Sequence, residues 1–530
     1  MMQLTVKQAV IRLLQGLAKE ITESRTVRAN ETEITVKKGN LPVVCNYLFH
    51  EKSGRLFTMV GNDERQENGF FVLYYVFCFD DIRHFITVKT FIEEADPTFP
   101  SAAVQVPALN WYEREVKDLL GLRALGHPDR RPLILHGDWP EDQYPLRRDF
   151  AAGSFVERQP DRQTCLEHDS GDITRIPVGP IHAGIIEPGH FSFSAVGDTV
   201  LHLEARLFYT HRGLEKRSEG LPLSKALFTA ERICGVCALS HATAFAQAVE
   251  TAAQTVLPER ARFLRTLFLE LERLYNHIGD IGNLCAGFGF AVGTSHGGRL
   301  REQLLQLNEK ITGHRYLRGI IEPGGLRFDV TPGEISLIQA ALDEIEVDFD
   351  ELMELILSHD IALDRMAATG VLHLEQAVDL AVVGVAARAS GRNIDIRRDV
   401  PYAAYDQLNF TVPLYTSGDV LARFKVRADE VKASLGIIRQ GIGRLPAGAV
   451  KAAVGPIKPY TRAMGWVESP RGEICHWLMT GPDQTVYRYR VRSAAYSNWP
   501  AVALAVPGNI VPDFPLINKS FELCYSCCDR

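Results

Sequence analysis

The chain has 530 residues, and 58 lysines and arginines stand against 65 aspartates and glutamates, which gives a formal net charge of −7. Hydrophobic residues make up 46% and charged residues 23%, the composition of a globular protein with several domains. This charge balance excludes a protein that binds nucleic acid through bulk positive charge, so we expect no nucleic-acid partner. No uncharged apolar run approaches the ~18 residues of a membrane span.

Residues 1–150 predict a compact α+β domain. The chain starts with an amphipathic helix rather than a signal peptide, because a lysine and an arginine interrupt its apolar positions, and we therefore expect a cytoplasmic protein. Strand-like segments rich in β-branched and aromatic residues follow over 31–38, 55–63, 70–79 and 84–92. A short helix is predicted over 111–121, and we expect its charged residues from Glu113 to Asp118 to form a solvated face.

The polar, irregular segment 151–172 predicts a linker. Beyond it, residues 173–530 predict a mainly α domain built on a helical bundle with a small β part. Apolar residues repeat on one helical face over 258–280, and 334–366 predicts one long helix or two stacked helices. The glycine-rich segment 287–293 follows a helix instead of a strand, which argues against a nucleotide-binding loop.

Cysteine placement is the strongest chemical signal. The segment ERICGVCALSHATAF (231–245) contains Cys234 and Cys237, and Cys524 and Cys527 form a second C-x-x-C pair at the end of the chain. Two such pairs can supply four thiolates, the ligand set of a soft metal centre. Without a secretory signal, a disulfide scaffold is not expected.

Three other interpretations of the cysteines stay open at this point: two unrelated buried pairs, a thioredoxin-like redox pair, and a structural zinc site. No thioredoxin-like strand–helix pattern surrounds either pair, and zinc knuckles usually close loops of ~15–20 residues. Ligand chemistry alone ranks zinc or iron–sulfur above nickel for four sulfurs. The spacing therefore indicates a metal site without naming the metal.

The motif R-I-C-G-V-C-x-x-x-H, paired with a terminal C-x-x-C, resembles the large subunit of [NiFe]-hydrogenases. HRGLEKR (211–217) is similar to the R-G-x-E element of that family, and ESPRGE (468–473) is similar to its Pro-Arg-Gly element. One departure is that Glu522 and Leu523 stand where the family has Asp-Pro before the terminal pair.

Other segments resemble subunits of respiratory complex I. Residues 111–150 are similar to its 30-kDa-type subunit, and residues 179–191, 387–405 and 487–500 resemble its 49-kDa-type subunit. The two regions fused in one chain, with the cysteines retained, resemble the large subunit of group 4, membrane-associated hydrogenases of the formate-hydrogenlyase type. The resemblance implies an oxidoreductase that interconverts H2 with protons and electrons.

The resemblance also implies the ligands of the centre. Cys234 and Cys524 would be terminal nickel ligands, and Cys237 and Cys527 would bridge to an iron that carries one CO and two cyanides, a Ni–Fe(CN)2(CO) centre. A magnesium ion near the C-terminus belongs to the same expectation.

The resemblance also gives roles to Glu215, Arg471, His241 and Glu522, and it places Pro470 in the surroundings of the metal centre. Glu215 would be the proton relay, and Arg471, after Pro470, would extend its guanidinium over the open metal position. His241 would hydrogen-bond a bridging sulfur, and the Glu522 carboxylate would lie beside the metal pocket. A surface glutamate, a loop-anchoring arginine and a buried core histidine are the alternatives for Glu215, Arg471 and His241.

Four more positions complete these expectations. His182 takes a structural role, Cys475 is a core cysteine, and Cys528 is either an inert neighbour or a redox-sensitive thiol. In the family an endopeptidase trims the chain three residues after the last ligand cysteine, which here is Arg530. We therefore expect Arg530 to be the C-terminal processing site.

The implied partners follow from electron transfer. Iron–sulfur clusters are expected only in partner subunits: a small subunit with a [4Fe–4S] cluster, similar to the 20-kDa subunit of complex I, and further iron–sulfur and membrane-arm subunits. Attachment to the cytoplasmic face of the inner membrane would then be peripheral. Two other functions remain open: a metal-free, complex-I-like coupling subunit with relic cysteines, and a zinc-stabilised scaffold.

Overall fold

The structure is a computed structural model that describes residues 6–161, 172–182 and 186–530. The chain forms two compact units, the first from Met1–Cys165 with Asp379–Ala381 and the second from Leu166–Val378 with Val382–Arg530. Part of the predicted linker over 151–172 lies outside the described residues, so the linker stays a prediction.

The first unit contains a sheet in the order β1-β2-β5-β4-β3, in which β2 and β5 pair in parallel and the other neighbours are antiparallel. Strands along this part of the chain are β1 (Ile21–Arg28), β2 (Glu31–Val36), β3 (Arg55–Glu64), β4 (Phe70–Phe79), β5 (His84–Ile92), β6 (Thr98–Pro100) and β7 (Arg123–Leu125). Helices are α1 (Val6–Leu14), α2 (Leu41–Asn46), α3 (Arg65–Asn68) and α4 (Asn110–Leu120). The four predicted strands and the predicted helices are confirmed.

The core of this unit surrounds β4, which is buried at every position after Phe70 because strands cover both of its edges. Helix α4 packs closely on β3 at Gly61. A Cβ at that position would lie 2.7 Å from Val116 and 2.8 Å from Leu120, so the glycine sets the distance between helix and sheet.

The expectation that α4 presents a solvated charged face is wrong. Glu113 is 1% exposed and accepts a hydrogen bond from the backbone N–H of Ala102 (2.8 Å). Asp118 is also buried and accepts from the backbone N–H groups of Leu133 (2.7 Å) and Ile134 (2.8 Å). These carboxylates anchor loops, and their hydrogen bonds offset the cost of removing them from water.

The second unit is mainly helical with small antiparallel sheets. Strands along this part of the chain are β8 (Thr174–Val178), β9 (His190–Val196), β10 (Thr199–Arg206), β11 (Ile321–Glu322), β12 (Gly325–Leu326), β13 (Arg462–Ser469), β14 (Gly472–Thr480) and β15 (Val486–Arg492). Helices are α5 (Leu214–Ser218), α6 (Leu223–Glu231), α7 (Ala238–Ala253), α8 (Glu259–Gly287), α9 (Ala291–Thr312), α10 (Pro332–Leu357), α11 (Asp360–Met366), α12 (Leu374–Asp379), α13 (Gly384–Ala389), α14 (Ile396–Asp399), α15 (Val420–Gly443), α16 (Ala494–Ala505), α17 (Phe514–Phe521) and α18 (Tyr525–Asp529).

The predicted bundle forms around α8, against which α7, α9, α15 and α17 pack. Helices α8 and α9 approach closely where Gly282 faces Gly297, since a Cβ on Gly282 would lie 3.1 Å from the Cα of Gly297. The segment 334–366 forms two helices, α10 and α11, and 287–293 joins α8 to α9 as expected. The predicted fold class is therefore confirmed.

Helix α7 also packs on the meander β13-β14-β15. The closest approach is at Gly465 on β13, where a Cβ would lie 2.0 Å from the backbone oxygen of Ala244. Because Cys237 caps α7, this contact fixes the height of the first cysteine pair above the sheet. In the part of the chain that the structure describes, no helix has the length and apolar character needed to cross a membrane.

We expect Gly465→Ala to destabilise the protein by about 1–3 kcal/mol, because the new methyl group must push α7 away from β13. Gly436→Ala is the matched control, since a Cβ at that helical position meets nothing within 4 Å and alanine favours the helix. Thermal unfolding of both variants measures the difference. Equal melting temperatures would contradict the packing account.

Candidate metal centre

Four cysteines meet in the second unit. Cys234 lies in the loop between α6 and α7, and Cys237 caps α7. Cys524 caps α18, and Cys527 lies within that helix. Their four sulfur atoms all lie within 4.8 Å of one another, and every side chain is buried. This geometry excludes two unrelated cysteine pairs.

The thiols compete for protons. Hydrogen bonds from Cys237, Cys524 and Cys527 lower the pKa of Cys234 well below its ordinary value of 9.0. The hydrogen bond with Cys234 raises the pKa of Cys237, and burial raises the pKa of Cys527. A bare cluster therefore favours a single thiolate, whereas a bound cation would compensate several negative charges at once. Four crowded sulfurs fit a soft metal ion such as nickel or zinc.

Arg212 joins the loops that carry the two cysteine pairs. Its guanidinium donates to the backbone oxygens of Arg232 (3.1 Å) and Ile233 (2.8 Å), just before Cys234. The same group donates to the backbone oxygen of Ser526 (3.0 Å), between Cys524 and Cys527. One rigid side chain with several fixed donors thus sets the separation of the two pairs.

The carboxylate of Asp529 holds the C-terminal helix from the other side. It accepts from the backbone N–H groups of Phe208 (2.9 Å) and Thr210 (3.0 Å), and from the Thr210 hydroxyl (2.7 Å). Burial raises the pKa of Asp529 to about 6. The segment just before α5 therefore fastens the end of the chain.

Glu215, on α5, is 3% exposed and is not a surface glutamate. One carboxylate oxygen accepts from the backbone N–H of Val491 (2.8 Å) and faces the guanidinium of Arg530 (3.2 Å). The other oxygen lies 2.9 Å from the guanidinium of Arg490. Two cations and a backbone donor fix the orientation of this carboxylate.

Arg471 lies in the buried turn between β13 and β14, directly after Pro470. Both of its terminal nitrogens pair with Asp280 on α8, one of them at 2.9 Å. Burial raises the pKa of Asp280, but the guanidinium groups of Arg471 and Arg427 outweigh burial and hold that pKa well below 3.8. Burial lowers the pKa of Arg471, but the carboxylates of Asp280 and Glu522 hold that pKa well above its ordinary value.

Glu522 completes this charged group. Its carboxylate lies 3.8 Å from Arg471 and accepts a hydrogen bond from the Asn283 side chain (2.6 Å). Burial and the charge of Asp280 raise the pKa of Glu522 to about 7. Glu522 adopts a positive φ of 51° at the end of α17.

His241 lies one turn into α7, and its Nε2 is 3.4 Å from the sulfur of Cys527. Its Nδ1 is 2.8 Å from Nε2 of His476 on β14, whose Nδ1 is 2.8 Å from the hydroxyl of Tyr489 on β15. All three side chains are fully buried. Burial lowers the pKa of His241 to about 4 and that of His476 well below 6.5.

The remaining predicted residues lie outside the cluster. His182 binds the backbone oxygen of Gly189 (2.7 Å), in keeping with a structural role. Cys475 and Cys528 are buried, which favours a core cysteine and an inert neighbour.

The sequence assigned no role to five residues that the structure brings to this region: Arg212, Asp280, His476, Tyr489 and Asp529. Arg212 stands inside the HRGLEKR segment, and His476 follows the Arg471 turn by five positions. For Arg212 and His476, closeness to these motifs in the sequence was the one available indication of a role at the site. Their partners lie far away in the sequence, so spacing could not reveal the contacts.

Comparison with known proteins names the family. The family model of nickel-dependent hydrogenases matches residues 212–286, which include Glu215 and the first cysteine pair. The model of the respiratory-chain NADH dehydrogenase 49 Kd subunit matches residues 288–463 and 452–530, and that of the 30 Kd subunit matches residues 34–156.

Whole proteins agree with these matches. The chain is 37% identical to formate hydrogenlyase subunit 5 of Escherichia coli K12, over 94% of this chain and 89% of the relative. It is 36% identical to hydrogenase-4 component G of the same organism, over 94% of this chain and 88% of the relative. It is 32% identical to the carbon monoxide-induced hydrogenase of Rhodospirillum rubrum, over 67% of this chain and 99% of the relative. The chain therefore belongs to the family of [NiFe]-hydrogenase large subunits of the formate-hydrogenlyase type, in which regions similar to the 30-kDa and 49-kDa subunits of complex I are joined.

Proposed function

We propose that Cys234, Cys237, Cys524 and Cys527 hold the nickel–iron centre at which this hydrogenase interconverts H2 with protons and electrons. The observation that carries the proposal is the meeting of four buried sulfurs within 4.8 Å, from two segments that lie far apart in the sequence. When bound, the centre supplies the redox chemistry, and the protein supplies ligands, proton transfer and charge.

The ligand roles follow the order of the cysteines in each pair. Cys234 and Cys524 would hold the nickel, and Cys237 and Cys527 would hold the nickel and the iron together. Within the described residues, no group of three acidic or histidine side chains converges near the C-terminus. The magnesium ion therefore stays a prediction without structural support.

Glu215 is the proposed proton relay. Its carboxylate is held by Val491, Arg490 and Arg530, so it stays in one orientation while it accepts and releases a proton. A carboxylate held in this way can take up a proton and pass it on without reorienting.

Arg471 is the proposed positive group over the open metal position. Asp280 holds its guanidinium by two hydrogen bonds and so fixes the plane in which it lies. Glu522, at 3.8 Å, adds a second carboxylate to the same group. The fixed donors of Arg471 can then hold a small ligand or substrate in one place.

Electrons must leave through partners. In the described part of the chain, the four cysteines are the one group of thiols that meets closely enough to bind a metal. We therefore place the [4Fe–4S] cluster in a small subunit, and further iron–sulfur and membrane-arm subunits beyond it, as in a formate-hydrogenlyase-like complex. Peripheral attachment to the cytoplasmic membrane face follows from these partners. Cleavage after Arg530 by a maturation endopeptidase stays a prediction.

Substitution of the cysteines tests the centre. We expect Cys237→Ser and Cys527→Ser each to abolish nickel binding and H2 turnover, because serine does not supply a thiolate. Cys285→Ala is the matched control, since Cys285 is an equally buried cysteine outside the cluster. Metal analysis and H2 production of the purified complexes are the measurements. Nickel retained in both serine variants would refute the ligand assignment, and zinc in place of nickel would favour a scaffold.

Substitution of Glu215 tests the relay. We expect Glu215→Gln to lower H2 turnover by about 10²-fold or more while nickel stays bound, because an amide cannot carry the proton. Glu219→Gln, four residues later and paired with Arg488 and Lys216, is the control for a lost ion pair. Unchanged turnover in Glu215→Gln would assign the proton path to another group.

Substitution of Asp280 tests the anchor of Arg471. We expect Asp280→Asn to destabilise the protein by about 3–5 kcal/mol, because it leaves Arg471 and Arg427 buried without their charge partner. Asp350→Asn, which removes an exposed pair with Lys432, should cost less than about 1 kcal/mol. Urea unfolding followed by tryptophan fluorescence measures both. If both variants lost the same free energy of unfolding, Asp280 would not be a structural anchor.

A further inference from the structure

A continuous chain of hydrogen bonds leads away from the cysteine cluster. It begins at the sulfur of Cys527 and passes through His241 and His476 to the hydroxyl of Tyr489. The three side chains lie on three different elements, α7, β14 and β15, which pack against one another.

The packing leaves these side chains little freedom. His241, His476 and Tyr489 are each fully buried, and the ring of Phe245 meets the ring of Tyr489 edge-on at 5.4 Å. The two imidazole rings lie 5.1 Å apart. Strands β14 and β15 are paired in register at this point, which holds His476 and Tyr489 at a constant separation.

The proton positions follow from the cysteine end of the chain. A metal-bound thiolate has no proton and can only accept a hydrogen bond. Nε2 of His241 must therefore donate its N–H to the sulfur, and in a ring with one N–H the Nδ1 accepts. Nε2 of His476 then donates, its Nδ1 accepts, and the Tyr489 hydroxyl is the donor at the far end.

When each imidazole ring carries one N–H, a single order of donors and acceptors along this chain is compatible with a thiolate at Cys527. The other tautomers of the two rings would aim a lone pair of His241 at the negative sulfur. The Tyr489 hydroxyl is the group that selects the correct tautomer of His476, and His476 selects that of His241.

We propose that His476 and Tyr489 are positioning residues of the metal centre, which direct the N–H of His241 at the sulfur of Cys527. The inference rests on the proposed function, because it needs a metal-bound thiolate at Cys527. A hydrogen bond to this sulfur withdraws charge from it, so the sulfur gives less electron density to the metals. His476 and Tyr489 thereby tune the centre without contact with it.

The test uses the purified holoenzyme complex with Tyr489→Phe, His476→Leu and His476→Gln. Nickel content, melting temperature, H2 turnover and the infrared bands of the metal-bound CO and cyanide are measured. We expect Tyr489→Phe and His476→Leu to keep nickel, to shift these bands to lower frequency and to lower turnover by about 10–100-fold. His476→Gln should restore the wild-type bands, because its side-chain N–H can replace Nε2 as the donor to His241.

The control variant is Tyr487→Phe, which removes the hydroxyl of another buried tyrosine on β15, one that packs against Tyr460. Its bands should match the wild type. Unshifted bands in Tyr489→Phe, or an equal shift in Tyr487→Phe, would overturn the inference. If His476→Leu fails to load nickel, Tyr489→Phe decides the question, since it removes a single oxygen atom. Wild-type complex without nickel and without these bands would instead refute the proposed function.

Discussion

The metal centre depends on the docking of the C-terminal segment against the loop before α7. Each C-x-x-C pair supplies two sulfurs, so neither pair can form a four-sulfur site alone. The two pairs lie far apart in the sequence and meet only in the folded chain. Arg212 ties both loops together through their backbone oxygens, and Asp529 fastens α18 to the segment before α5. These polar contacts satisfy backbone groups that docking would otherwise bury without partners, and each such group would cost about 1–3 kcal/mol.

The same docking assembles the charged groups around the sulfurs. It brings Arg530 to Glu215 and Glu522 to Arg471, so the proposed relay and the proposed positive group are complete only when the end of the chain is in place. Buried ion pairs of this kind contribute little net stability compared with apolar packing, but they penalise every arrangement that leaves one partner alone. The charges therefore act mainly to specify a single geometry at the site.

Local patterns in the sequence predicted much of the fold, because apolar periodicity is a local property. The strand at 70–79 and the long helix α8 are examples. The prediction of a solvated charged face on α4 was wrong, because Glu113 and Asp118 bind loops whose position depends on tertiary packing. The two C-x-x-C pairs indicated a metal site, and the resemblance to a known family named the metal. The Asp280–Arg471 pair and the chain from His241 to Tyr489 connect distant residues, so no local pattern could reveal them.

Nickel K-edge X-ray absorption on the purified complex tests the central claim most directly, because it reports both the metal and the atoms bound to it. The account predicts nickel with a sulfur-dominated ligand shell supplied by Cys234, Cys237, Cys524 and Cys527. Nickel surrounded by nitrogen and oxygen atoms, or zinc at these sulfurs in place of nickel, would contradict it.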